Sequence, residues 1–153
     1  MFSRFYDSFT LKAPGYREAC ILTSKLAKLH GEGCVLDVAC GTGAVSLLLA
    51  EEGREVIGLD LSPGQVNQLK AKASLKGISI HPVIGDARML PFRSKSFNLA
   101  TCSGALSEIA GRKHAIREIS RVLKQGGHAI TMTFNRERTP LPGAYTAREL
   151  KKT

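Results

Sequence analysis

The chain has no tryptophan, and its aromatic residues amount to 6% of 153 positions. Such a sequence offers little surface for stacking the bases of single-stranded nucleic acid. Long apolar runs are also missing: none approaches the roughly 20 residues that a membrane-spanning helix needs. The sequence therefore reads as soluble, with no membrane span. Nothing near Met1-Phe2-Ser3-Arg4-Phe5-Tyr6-Asp7 resembles an apolar signal segment with a small-residue cleavage site, so a cytoplasmic location is expected. Cysteine is sparse as well. Cys20, Cys34, Cys40 and Cys102 show neither C-x-x-C spacing nor a nearby histidine pair, which argues against a zinc site or a disulfide framework. Four reduced, mostly buried thiols and no metal are expected.

Acid is scarcer than base, 13 residues against 22, and the imbalance is local. Residues 1–110 hold 12 Lys/Arg against 10 Asp/Glu, whereas residues 111–153 hold 10 against 3, so the latter contribute +7 of the net +9. A basic segment suits nucleic acid, an anionic surface or an acidic substrate. Arg112, Lys113, Arg117, Arg121 and Lys124 equally fit the solvated face of a helix, and that reading is favoured because no aromatic residue is interleaved with them. The length fits a single domain that buries about 68–70% of its unfolded surface. We divide it into an N-terminal cap-helix region (1–32), a core (33–135) and a basic tail (136–153).

Along the chain, short apolar runs alternate with segments of helical period. Ala19, Leu22, Leu26 and Leu29 predict a helix from Tyr16 to His30 that Gly31 stops. Strands are predicted at Cys34–Ala39, Glu55–Leu59, Ile78–Ile84, Phe97–Cys102 and His128–Phe134. Helices are predicted at Ala44–Glu52, from the Ser62-Pro63 cap to about Leu75, and at Lys113–Lys124 before a Gln125-Gly126-Gly127 stop. This alternation predicts an α/β fold: a doubly wound, Rossmann-like sheet of about five parallel strands with helices on both faces. Ligands of such sheets lie beyond the carboxyl ends of the strands.

Three aspartates fall at those ends. Asp37 sits inside an apolar strand just before Ala39-Cys40-Gly41-Thr42-Gly43, a loop of small residues that opens a helix and lets a ligand approach the backbone. With Ser46 near the third small position of a dinucleotide fingerprint, a nicotinamide cofactor has to be weighed. Asp37 speaks against it, because a carboxylate before the loop repels a pyrophosphate yet suits a ligand amine. Asp60, 17 residues beyond Gly43, ends the second strand and can accept from vicinal ribose hydroxyls. Asp86, in Gly85-Asp86-Ala87, can accept from an exocyclic adenine amine.

In order and spacing, these motifs resemble the class I S-adenosylmethionine-dependent methyltransferases, especially the small-molecule branch that includes ubiquinone/menaquinone-biosynthesis enzymes. The resemblance runs from about Tyr6 to Leu150. It takes in Asp37 to Gly43, Leu59-Asp60-Leu61-Ser62, Gly85-Asp86-Ala87 with Leu90-Pro91-Phe92, Ser96-Phe97-Asn98-Leu99, and Arg121-Val122-Leu123-Lys124-Gln125-Gly126-Gly127. It implies that Asp37, Ala39, Cys40, Gly41, Thr42 and Gly43 hold the methionine end, and that Asp60 and Leu61 hold the ribose. Asp86, Ala87 and Met89 would then hold the adenine, with the backbone near Cys102 and Ser103 approaching the sulfonium. Ala39 stands where the family has glycine, a tolerable change if its φ is not positive. Asn98 stands where the family has aspartate. Tyr6 closes over the cofactor in similar members.

Members usually continue, after a helix like Tyr145–Leu150, into two more strands. Their absence before Thr153 implies an exposed fifth strand, and with it a homodimer through that edge, cover by Arg136–Thr153, or a truncated fragment. The reaction implied is in-line methyl transfer to a small-molecule acceptor, with S-adenosylhomocysteine as product and the protein supplying orientation and exclusion of water. Glu108 is the candidate base, against the alternative of a helix-surface acid. Two alternatives stand beside this: a non-catalytic S-adenosylmethionine-binding module, and an RNA-modifying methyltransferase that the basic tail leaves open without favouring.

Overall fold

The computed structural model describes residues 15–30 and 32–133. Expectations for Tyr6, the Gly31 stop, Phe134, the Arg136–Thr153 tail and the Tyr145–Leu150 helix lie outside the described residues. Within them, α1 (Tyr16–Leu29) leads to β1 (Val35–Val38), α2 (Ala44–Glu51), β2 (Val56–Asp60), α3 (Pro63–Lys76) and β3 (His81–Ile84). The chain then forms β4 (Phe97–Ser103), α4 (Arg112–Val122) and β5 (Leu123–Met132). The five strands form one parallel sheet in the order β3-β2-β1-β4-β5. The chain winds outward from β1 to β3, then returns to lay β4 on the other side of β1. That reversal is a topological switch point, where open α/β sheets bind ligands.

β1 is central and buried on both faces, which is why it reads as a continuous apolar run. Leu36 and Val38 pack with Leu59, Ala100 and Cys102 against Ala115, Ile119 and Val122 of α4. Val35 turns the other way, into a core with Tyr16, Cys20 and Ala27 of α1 and Val45 and Leu49 of α2. α3 starts and stops as its sequence predicts: the Ser62 side chain accepts from the Gln65 N–H, Pro63 opens the first turn, and Gly77 at φ 65° ends it. Its Leu69 explains two glycines. A Cβ on Gly43 would stand 2.3 Å from Leu69 Cδ1, and one on Gly58 would stand 2.8 Å from Cδ2. The second glycine of the loop thus serves helix packing, beyond leaving room for a ligand.

The boundaries that differ most from expectation are the starts of β3 and β5 and the end of α4. β3 begins at His81, not Ile78, because Ile78 donates its N–H to Ala73 O in the turn that closes α3. α4 ends at Val122, and Leu123 already pairs with Phe97, although Leu123 and Lys124 prolong the helical pattern. The next paired step joins Leu99 to His128, so residues 124–127 bulge from the ladder. Gly126, at φ 76°, makes the bulge, and a Cβ on Gly127 would meet Lys124 O at 2.9 Å.

The basic face of α4 is also less simple than a solvated stripe. Arg121 donates to Glu118 at 2.7 and 2.8 Å and to the carbonyls of Leu90 at 3.0 Å and Phe92 at 2.9 Å. It ties the loop before β4 to the helix. Lys124 lies in the bulge, not on α4. No helix among the described residues is long and apolar enough to cross a membrane.

Candidate functional site

The loops that follow β1 to β4 surround one cavity of about 340 Å³, within the range of small-molecule sites. Ala39 contributes from the end of β1, and Asp60 and Leu61 from β2. Gly85 to Arg88 line it beyond β3, and Ala105 and Glu108 to Ala110 beyond β4. The switch point and the strand ends thus meet where sequence placed a ligand.

The three aspartates occupy three different electrostatic settings. Asp37 is 1% exposed and accepts from Ser46 Oγ at 2.5 Å and Thr101 Oγ1 at 2.7 Å. Burial pushes its carboxyl up to about 6; the two hydroxyls oppose that, and the negative charge of Asp60 adds to it. Asp37 thus lies buried beneath the loop, its oxygens held by two hydroxyls.

Asp60 holds the glycine loop in place. Its Oδ2 accepts from the Gly41 N–H at 2.8 Å, and its Oδ1 accepts from the Ser62 N–H at 2.9 Å. A carboxylate has about four acceptor positions, so each oxygen keeps one. Asp86 is instead covered by Arg88, whose Nε and Nη2 donate to it at 2.6 to 3.0 Å. Those bonds hold its carboxyl below the usual range. The acceptor expected to face an adenine amine is thus already engaged.

The remaining predicted residues divide. Ala39, Leu61, Ala87 and Glu108 line the cavity, whereas Cys40, Gly41, Thr42, Gly43, Cys102 and Ser103 do not. Ala39 has φ 53°, so the condition attached to its replacing glycine fails and the position carries strain. Met89 is 76% exposed and is not among the residues that line the cavity. Glu108 lies in the turn before α4, not on the helix surface, and it shares the cavity with Asp60 and Asp86. Thr42 accepts from Lys72 Nζ at 2.8 Å. Cys40 and Cys102 are buried, and burial pushes the Cys102 thiol up to about 12 and that of Cys40 higher, so neither is a nucleophile. Ser103 Oγ and Gln65 Oε1 are buried with no partner among the described residues.

Sequence reasoning missed Ser46 as a partner of Asp37, and Thr101, Arg88 and Gln65 altogether. Thr101 left a signal, a hydroxyl inside the apolar run of β4, but its partner lies 64 positions away. Arg88 left a local one, standing two residues after the acid it binds. Asn98, which stands where the family has aspartate, donates to Glu32 O at 3.2 Å.

Comparisons with known proteins agree with this architecture. A family model described as a methyltransferase domain matches residues 35–127. A demethylmenaquinone methyltransferase of Deinococcus radiodurans is 34% identical over 120 residues, covering 77% of this chain and 50% of that protein. The chain spans about half the length of the curated relatives it matches. Among solved structures, the YcgJ protein of Bacillus subtilis aligns with a TM-score of 0.76 and 27% identity, over 88% of this chain and 65% of that one. The [4+2]-cyclase SpnF aligns with a TM-score of 0.70 and 33% identity, over 74% of this chain and 43% of that one. The matched stretch begins at β1 and ends in the bulge of β5, spanning every loop that lines the cavity, and the chain belongs to the class I methyltransferase domain family.

Proposed function

We propose that the chain binds S-adenosylmethionine in the cavity beyond β1 to β4 and directs its methyl group to a small-molecule acceptor of the demethylmenaquinone kind. Asp60 carries the reading. It lines the cavity, and each of its two oxygens retains one acceptor position beside the backbone N–H it already holds, which suits a pair of vicinal ribose hydroxyls. When bound, the cofactor supplies an electrophilic methyl on a sulfonium, so the residues here need only bind, orient and exclude water.

Residue roles follow from the settings above. Gly41, Thr42 and Gly43 offer backbone at the start of α2 to the methionine end. Asp37 contributes its negative charge from below, and Gln65 Oε1 offers an unused acceptor beside Gly41, 3.9 Å from where a Cβ there would stand. Gly85, Asp86 and Ala87 frame the nucleobase. Cys102 and Ser103 end β4 at the approach to the sulfonium, where the Ser103 hydroxyl lacks a partner among the described residues. Glu108, on the nucleoside side, is not assigned as a base.

Calorimetry tests the cofactor: S-adenosylmethionine and S-adenosylhomocysteine should give binding heat, and NAD none. Transfer of labelled methyl to demethylmenaquinone tests the acceptor, and label appearing in RNA instead would replace that acceptor class. The likeness to a cyclase favours one second reading, a cofactor-binding scaffold without methyl transfer. Binding heat without S-adenosylhomocysteine formation on any quinone or RNA acceptor would establish it over the first.

A further inference from the structure

Three N–H groups of Arg88 converge on Asp86. Its Oδ1 takes the Arg88 backbone N–H at 2.8 Å and Nε at 3.0 Å, while its Oδ2 takes Nε at 3.0 Å and Nη2 at 2.6 Å. Of the roughly four acceptor positions of a carboxylate, Arg88 occupies about three, its Nε hydrogen shared between the two oxygens. A purine amine that takes Asp86 as its acceptor therefore competes with the guanidinium, which turns away to admit it. The pair is poised for that, because the two side chains are 48% and 26% exposed and ion pairs so placed are weak.

A second carboxylate stands ready to receive Arg88. Glu108 lines the same cavity, and its exposed side chain makes no hydrogen bond or ion pair among the described residues. The stem of Arg88 rests against Gly111, three residues beyond Glu108: a Cβ there would lie 3.6 Å from Arg88 Cδ. The pivot of the side chain therefore already adjoins the segment that carries Glu108.

We infer that Arg88 is a positioning residue that exchanges carboxylates when the nucleoside enters, releasing Asp86 to the purine amine and pairing with Glu108 across the cavity. The inference rests on the S-adenosylmethionine reading above. The guanidinium stays paired through the exchange, one carboxylate replacing the other, and the ligand amine gains an ionised acceptor. The new pair draws the turn at residues 106–108 over the nucleoside. Glu108 then acts through Arg88 on ligand retention and takes no part in proton transfer.

Titration of S-adenosylhomocysteine into the wild type, Arg88→Ala, Glu108→Gln and the double variant tests this as a double-mutant cycle. Glu108→Gln should weaken binding about fivefold or more when Arg88 is present and by less than about twofold when it is alanine. Arg88→Lys, which keeps a charge that reaches Glu108, should retain part of the dependence on Glu108. Equal effects of Glu108→Gln in the two backgrounds, or none in either, would overturn the exchange. Thermal melts of all variants check folding, which two exposed side chains should leave intact. Failure of the wild type to bind either S-adenosylmethionine or S-adenosylhomocysteine overturns the cofactor reading and the exchange with it, an outcome distinct from binding without coupling.

Discussion

Replacing Asp37 with asparagine should make the protein more stable and a poorer binder. The carboxylate is buried between β1 and β4 with two hydroxyl donors and no cation among its contacts, and burial raises its pKa from 3.8 to about 6. A carboxyl whose folded pKa lies above its unfolded one binds protons more tightly when folded, so stability falls as pH rises between those values. Above pH 6 the whole cost is present, about 3 kcal/mol at roughly 1.4 kcal/mol per tenfold change in acidity. Asparagine keeps the shape and one carbonyl acceptor, and one of the two hydroxyls reverses to accept from its amide. At about pH 7.5 the variant should gain about 1–3 kcal/mol, or about 2–4 °C in Tm for each kcal/mol in a chain of this size. Calorimetric melts across pH check the sign, because the gap should shrink as pH falls from about 6 toward 3.8 and close below that, where Asp37 is neutral in the folded and the unfolded chain alike. S-adenosylhomocysteine binding by the variant should fall about tenfold or more, the scale of a lost charge-assisted contact. A variant less stable than wild type at neutral pH, or a stability gap unchanged by pH, would refute the reasoning.

Two further substitutions probe the loop. Ala39→Gly removes strain of about 1–2 kcal/mol at φ 53° and gives back about 0.4–1 kcal/mol through the freer unfolded chain, so a small net rise in Tm is expected on melting. Asp60→Ala should weaken S-adenosylmethionine binding by about 1.5–3 kcal/mol in calorimetry and also lower Tm, because the Gly41 and Ser62 N–H groups lose their acceptor. Asp60→Asn, which keeps one acceptor oxygen, should recover part of the stability and little of the affinity.

Much of the fold was legible because its signals are local. The Ser62-Pro63 start and Gly77 stop of α3 act within a turn of the helix they bound, and the apolar run of β1 needs no partner to be recognised. The ends of α4 and β5 were not legible, because Leu123 fits a helix by period and becomes strand only through pairing with Phe97, 26 positions earlier. That tertiary pairing outweighs the local preference and pushes the excess residues into the Gly126 bulge. The turn after β3 left a local signal, since Asp86 is a turn-forming residue whose Oδ1 accepts from the Arg88 N–H and whose carbonyl accepts from the Met89 N–H, but the exposure of the Met89 side chain was not readable from it.

The candidate site shows the same division more sharply. Position along the chain identified Asp37, Asp60 and Asp86 as acids at three strand ends, and in that respect they are alike. The structure makes them unlike by supplying donors from afar: hydroxyls from α2 and β4 to Asp37, loop N–H groups to Asp60, a guanidinium to Asp86. Asp37 is a charge without a compensating cation, Asp60 is half satisfied, and Asp86 is paired with Arg88. In the proposed reading, a ligand with an ammonium group at one end, a diol in the middle and a weakly polar amine at the other would meet each in turn. The ammonium would offset the charge that is buried without a cation, the diol would fill the spare positions of Asp60, and the amine would displace Arg88. Residue type fixes where a ligand can be held; the partners each acid acquires on folding decide which part of that ligand it can hold.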